Sequence, residues 1–270
     1  MEINLHLGIH KTATTYLQDQ LTLSRDLLKN NGIQYFSLSE MRSGLTQAIR
    51  NKPLDVIQHI LRETIQQEKV ILSDENMIGN AGEIRKGINY KPISDVIGKI
   101  RQSLPESKVS VLISLRNPLE FLPSIYCEYL RHNNFVSYEN YIANQKDALN
   151  WEKLLTPVIN SNRDINFLIF NFDNFRNNKK EILKAISFNS IDRYSNNINS
   201  SRATLSTKVI ELLSNFPETS KELLTVIENL NYVFGDKFKP YSEQELRKSK
   251  EVYLSQLNNL SKLKNTEVFF

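Results

Sequence analysis

From residue 3 to about residue 205, short apolar runs of strand length alternate with stretches of helical period. Ile3, Leu5 and Leu7 alternate with polar residues until Gly8 breaks the run. Leu17, Leu21, Leu27 and Leu28 follow at roughly helical spacing. Ile33 to Phe36 and Lys69 to Ser73 read as short strands, and Pro53 opens a helical pattern with Val56, Ile57, Ile60 and Leu61 on one face. Ile93, Val96, Ile97 and Ile100 predict a helix. Val109 to Leu115, β-branched and apolar, has the composition of a central parallel strand. Pro118 suits the first turn of the helix that follows, and Pro123 is expected to start, kink or shift it. Trp151, Leu154, Leu155, Val158 and Ile159 predict a further helix, and Ile165 to Phe170 a strand. Only helical patterns are read beyond about Thr204. Such alternation predicts an α/β fold: a three-layer sandwich with a central parallel sheet flanked by helices, and a helical C-terminal extension. A single domain over residues 1–270 is expected, with its core at about 1–205 and the extension at about 205–270. The Asn- and Ser-rich stretch 195–201 reads as a loop.

Composition bounds the function without choosing it. A length of 270 residues is enough for a sizeable core, and 40% hydrophobic with 24% charged residues is ordinary for a globular protein. The formal net charge of +4 is too mild to point to nucleic acid, though it suits an anionic ligand. The one cysteine, Cys127, excludes an intramolecular disulfide and a cysteine-based zinc site. The first residues lack the basic and apolar regions of a secretory signal, and no run approaches the roughly 20 apolar residues of a membrane span. The default expectation is a cytoplasmic protein, with peripheral membrane contact left open.

The first strand runs into Gly8-Ile9-His10-Lys11-Thr12-Ala13-Thr14-Thr15, and a helix follows directly. A strand, a tight loop and a helix N-terminus make an anion site, because unpaired backbone N–H groups and the helix dipole face outward there. Lys11 adds a full charge, and Thr12, Thr14 and Thr15 can donate to phosphate oxygens. The same threonines also suit an ordinary helix cap. The spacing is not that of a Walker A loop, since only Ile9 and His10 separate Gly8 from Lys11. A second candidate lies about 100 residues on, where the strand Val109 to Leu115 exits into Arg116-Asn117-Pro118 and Ser124 follows eight positions after Arg116. Arg offers a planar fork to phosphate oxygens, and a Ser on the next helix can close the same site. Both candidates fall at C-terminal ends of strands, where ligands collect in parallel sheets.

The run from Leu5 to Gln18 resembles the 5′-phosphosulfate loop of the sulfotransferase superfamily, in its bacterial, carbohydrate-type branch. Arg116 with Ser124 resembles that family's 3′-phosphate site. The strand Ile165 to Asn171 followed by Asp173 and Phe175 is similar to a later family strand, so the likeness covers about residues 1 to 205. It implies a P-loop-like fold and 3′-phosphoadenosine-5′-phosphosulfate (PAPS) as co-substrate, with the 3′,5′-bisphosphate (PAP) as product and no metal. His10, Lys11, Thr12, Ala13, Thr14 and Thr15 would hold the 5′-phosphosulfate, Arg116 and Ser124 the 3′-phosphate, and Arg202 could fold over the nucleotide. Ala13 departs from the family, which has glycine there. Either that position needs a left-handed backbone, which strains Ala, or it needs only a small residue, and the matching flanks favour the second.

An acceptor hydroxyl must lose a proton as it attacks sulfur. Val70 to Leu72 ends in Ser73-Asp74-Glu75-Asn76, and related bacterial enzymes carry Ser-x-Glu there, which nominates Glu75 as general base and Lys11 as the group stabilising the leaving oxygen. Asp74 or Glu75 could equally cap a helix or pair with Lys11. By analogy the acceptor is a carbohydrate or glycolipid. Tyr126, Tyr129, Phe135 and Tyr138 either stack on a sugar or pack the interior, and packing is the stronger expectation. His6 is expected to point from the first strand into a helix layer, and His59 and His132 to lie on helix surfaces. Two other readings stand beside this one. Val70 to Glu75 also resembles a Walker B strand, as in a nucleotide kinase or NTPase using ATP and Mg²⁺. A non-catalytic nucleotide-binding relative would account for Ala13.

Overall fold

The computed structural model describes residues 1–88, 90, 92–145, 150–195, 204–216, 218, 226, 229–231 and 233–270. Its sheet comprises β1 (Glu2–His6), β2 (Ile33–Phe36), β3 (Lys69–Ser73), β4 (Lys108–Leu115), β5 (Asn166–Asn171) and β6 (Thr266–Phe269). The spatial order is β2-β3-β1-β4-β5-β6, and every neighbouring pair is parallel. The described helices of eight or more residues are α1 (Thr14–Leu23), α2 (Leu54–Thr64), α3 (Ile93–Ser103), α4 (Pro118–Leu130), α5 (Trp151–Ser161), α6 (Phe175–Ile186), α7 (Thr207–Ser214) and α8 (Glu243–Leu260).

Alternation along the strands sends side chains to two separate cores. Ile3, Leu5, Val70, Leu72, Val111, Ile113, Phe167 and Ile169 face one layer, with residues of α2 to α5, α7 and α8 packed against them. Ile71, Leu112 and Phe170 face the other, against Leu17 and Leu21 of α1 and Ile182, Leu183 and Ile186 of α6. The result is the three-layer α/β sandwich. On the α1/α6 side the sheet also buries polar groups. Asn4 donates its amide to the carbonyls of Ala185 and Ile186 (3.0 and 2.8 Å), satisfying the C-terminal end of α6. His6 projects into the same layer, where its Nδ1 pairs with Ser73 Oγ at 2.8 Å.

Two sequence expectations change. The chain beyond residue 204 is not helical throughout, because Thr266–Phe269 adds a sixth parallel strand beside β5, with Phe269 stacked on Phe170 at 4.8 Å. Four residues at a half-covered sheet edge carry too little alternation to read as a strand. Pro123 does not start α4, one of the three outcomes open to it, since the helix runs from Pro118 to Leu130 with Pro123 inside it. The extension also reaches the main core, where Tyr253, Leu257 and Leu260 of α8 are fully buried.

The chain reverses direction across the sheet between β1 and β4, the kind of switch point where parallel sheets open a crevice. Pairing of β1 with β4 continues past the strand, with Leu7 N–H donating to Leu112 O (2.9 Å) and Ile9 N–H to Ser114 O (3.4 Å). Gly8 lies between them under the first turn of α1. A Cβ there would sit 2.3 Å from Thr14 Cγ2 and 3.1 Å from His6 Nε2. Gly8→Ala is therefore expected to destabilise the protein by about 1–3 kcal/mol. That corresponds to a fall in Tm of about 2–4 °C per kcal/mol, measured by calorimetric melting.

Candidate functional site

The loop from Gly8 to Ala13 turns back on itself through two left-handed residues, Lys11 (φ 63°) and Ala13 (φ 62°). Ala13 is the N-cap of α1, and no side chain caps the first turn. The N–H groups of that turn thus point out of the helix end beside the loop. The left-handed backbone corrects the expectation that position 13 needs only a small residue. The turn demands positive φ, and Ala adopts it at a cost of about 1 kcal/mol or more relative to glycine.

The loop's side chains divide into those that build it and those that face outward. Thr12 is fully buried and its hydroxyl donates to the carbonyl of Ile9, which closes the loop. Thr14 is buried with its methyl over Gly8, whereas Thr15 is exposed in the first turn. His10 is a tether. Its backbone N–H donates to Tyr90 Oη (3.2 Å), its Nδ1 lies 3.0 Å from the same oxygen, and its Nε2 lies 3.0 Å from the Asn76 amide. With that amide turned so that Nδ2 donates to His10, its Oδ1 accepts from Arg42 at 3.0 Å and both amide atoms have partners. The His10 side chain thereby fixes the loop to Tyr90 and Asn76.

Lys11 reaches across to α4, where its ammonium lies 3.4 Å from Glu128 Oε2. Burial lowers its pKa, and the Glu128 charge works in the opposite direction. Glu128 lies one helical turn beyond the buried Ser124 and also meets Arg131 and His132. Arg116 leaves the end of β4 and donates from Nη1 to the carbonyl of Lys11 at 3.2 Å. Its guanidinium lies 5.0 Å from the Phe172 ring centre, and its Nε is buried with no partner among the described residues. The structure therefore joins Lys11 and Arg116 and puts Ser124 on the helix they face. Arg202 lies outside the described residues.

Glu75 follows β3 and is buried. Its Oε2 accepts from Gln18 Nε2 of α1 (3.1 Å) and its Oε1 from Arg42 Nη2 (2.9 Å). Burial would raise its pKa, but His10, Arg42 and these hydrogen bonds outweigh it and hold the carboxyl below its ordinary value of 4.5. Asp74 is occupied internally. Its Oδ2 accepts from Thr46 (2.7 Å), and its Oδ1 from Asn76 N–H (3.0 Å) and Arg42 (3.2 Å). His6 completes the cluster from below, its Nε2 without a partner among the described residues and its pKa lowered to about 4 by burial, against the pull of Glu75. Among the described residues, no group of three or more His, Cys, Asp or Glu side chains is placed to hold a metal ion.

An aromatic wall stands beside Arg116. Phe172 stacks on Phe175 (5.9 Å), Tyr16 meets Phe175 edge-on (5.7 Å), and Lys179 Nζ lies 5.0 Å from the Tyr16 ring. A half-exposed π surface next to two cations can take a flat, electron-poor ring. Tyr126, Tyr129 and Tyr138 are buried among Tyr141 and Phe238, which makes them packing residues. Sequence reasoning missed Gln18, Arg42, Tyr90, Glu128 and Phe172. Two had a local signal: Gln18 stands one turn from Thr14, and Glu128 one turn from Ser124. Arg42 and Tyr90 arrive from distant segments with none.

No protein-family model matches the chain, and no curated protein matches it significantly. Among solved structures, a sulfotransferase from Alicyclobacillus acidocaldarius aligns at 12% identity and a TM-score of 0.46, over 90% of this chain and 98% of that one. A retinol dehydratase in complex with androsterone and the inactive cofactor PAP aligns at 10% identity and a TM-score of 0.36, over 100% of this chain and 82% of that one. At those scores neither likeness bears on what this chain does. The fold itself is that of an α/β sheet protein with the strand–loop–helix of β1 and α1 at the switch point. No described helix is long and apolar enough to cross a membrane.

Two expectations follow. Ala13→Gly relieves the left-handed turn and stabilises the protein by about 1 kcal/mol, seen as a rise in Tm of about 2–4 °C. Because the folded-state pKa of Glu75 is depressed, its ionised form stabilises the protein above 4.5, and that contribution is lost as pH falls through the lower folded value. Arg42→Gln removes part of the depression. Its acid loss of stability therefore starts near the same pH of 4.5 but is smaller and is complete at a higher pH than in wild type, checked by urea melts between about pH 3 and 6.

Proposed function

We propose that the chain is a sulfotransferase that takes PAPS and moves its sulfuryl group to an acceptor hydroxyl or amine. The observation that carries this reading is the junction of Lys11 and Arg116. Two anion-binding devices sit at the ends of adjacent strands, joined by the 3.2 Å bond from Arg116 to the Lys11 carbonyl. A ligand with phosphates at two separate positions uses both, whereas the contiguous phosphates of ATP leave the second without a role. The sequence likeness of both segments to the sulfotransferase superfamily supports the same choice.

In this reading the first turn of α1, with Thr14, Thr15 and Lys11, holds the 5′-phosphosulfate, and Arg116 with Ser124 holds the 3′-phosphate. Phe172 and Tyr16 offer a surface for the adenine. Arg202 is assigned to nucleotide binding by the sequence likeness alone. The acceptor oxygen attacks sulfur and forms the new S–O bond. The bond from sulfur to the phosphate oxygen breaks with its electron pair, leaving PAP. Lys11 stabilises the charge on that oxygen, and the acceptor's proton passes to Glu75, which is ionised at neutral pH. Catalysis is then mainly positioning and electrostatics, and no metal has a step to perform. A carbohydrate or glycolipid acceptor is proposed by analogy with the bacterial branch. The kinase alternative is less favoured because only Ile9 and His10 separate Gly8 from Lys11, which is not the spacing of a Walker A loop.

Calorimetric titration tests the donor site. PAP is expected to bind without Mg²⁺ and more tightly than ATP with Mg²⁺. Lys11→Ala and Arg116→Ala should each weaken PAP by about tenfold or more, the scale of a lost charge-assisted hydrogen bond. Preference for ATP with Mg²⁺ would overturn the reading in favour of a kinase. Binding of neither nucleotide would favour a degenerate relative. Glu75→Gln is expected to lower turnover while leaving PAP affinity within about twofold.

A further inference from the structure

Arg116 is held by the C-terminal helix, a part of the chain that the sequence likeness does not cover. Helix α8 presents Ser249, Tyr253 and Gln256 at i, i+4 and i+7, hence on one face. Tyr253 is fully buried, and its hydroxyl proton is shared between the carbonyl of Leu115 (2.8 Å) and Asn171 Oδ1 (3.0 Å). The Leu115 carbonyl belongs to the peptide that enters Arg116. The peptide that leaves Arg116 is held by Trp151, whose Nε1–H donates to the Arg116 carbonyl at 2.8 Å. Trp151 is in turn fixed from α8, since its backbone N–H donates to Gln256 Oε1 at 3.0 Å. Ser249 donates its hydroxyl to Asn117 Oδ1, the atom that also accepts from Leu119 N–H and caps the helix carrying Ser124. Asn171 Oδ1 also accepts from Asp173 N–H (3.1 Å), which sets the turn that places Phe172 under the Arg116 guanidinium. Both peptide planes of Arg116, the cap that follows and the ring beneath it are thus tied to one helix face.

We propose that α8 is the brace that orients Arg116 for a 3′-phosphate, with Tyr253 as its central positioning residue; this rests on the nucleotide reading above. A phenylalanine at 253 would fill the same space, so the hydroxyl is present for its hydrogen bonds. A fork-shaped group gains its advantage over a point charge only when its plane is fixed. Loss of the brace therefore weakens recognition of the second phosphate while leaving the 5′ end of the nucleotide untouched.

The test is calorimetric titration of the full chain with PAP and, separately, with adenosine 5′-monophosphate, for wild type, Tyr253→Phe and Ser249→Ala. Tyr253→Phe is expected to weaken PAP about tenfold and the monophosphate less than about twofold, so the preference for PAP collapses. Ser249→Ala, at the edge of the same face, should shift the preference in the same direction by about threefold, and it decides the matter if Tyr253→Phe does not fold. An equal loss for both nucleotides would reduce Tyr253 to a general structural role and overturn the proposal, as would an unchanged preference. A wild-type chain with no preference for PAP would instead sink the nucleotide reading, and the brace with it.

Discussion

The site depends on how closely the start of α1 approaches the end of β1. Gly8 permits that approach, and the two left-handed residues at 11 and 13 let the chain turn within a few residues from strand to helix. Backbone N–H groups at the helix start are then aimed at the crevice between β1 and β4, where the sheet reverses order. Every charged group of the site is arranged around this turn. Lys11 leaves it toward α4, Arg116 closes on its carbonyl, and His10 ties it to Tyr90 and Asn76.

Several charges of the site meet partners of opposite sign. Lys11 faces Glu128, Arg42 faces Asp74 and Glu75, and Arg50 faces Glu83. Partly buried ions need such partners, since an isolated one would shift its pKa and neutralise. Glu128 holds Lys11 in this way, while Arg42 and Gln18 hold Glu75.

The C-terminal segment has a larger part than its position suggests. It supplies β6, completes the main core through Tyr253, Leu257 and Leu260, and fixes the peptides around Arg116. Tyr253 has its pKa raised by burial and so remains a neutral donor.

Local sequence determined the alternation of strands and helices, the positions of β1 to β5, and the strand–loop–helix that carries Lys11, because period and turn chemistry act over a few residues. It also nominated Arg116, Ser124 and Glu75, each by its place at or after a strand end. Tertiary structure alone decided which of the loop's polar groups face outward. Thr12 and His10 look like ligand donors in sequence, and the fold gives them Ile9, Tyr90 and Asn76 as partners. The left-handed state of Ala13 was one of two alternatives that the sequence left open, and the arrival of Arg42, Tyr90 and Tyr253 was beyond its reach. The first depends on how α1 must leave the sheet, and the others on contacts between segments far apart in the chain, for which no local pattern exists.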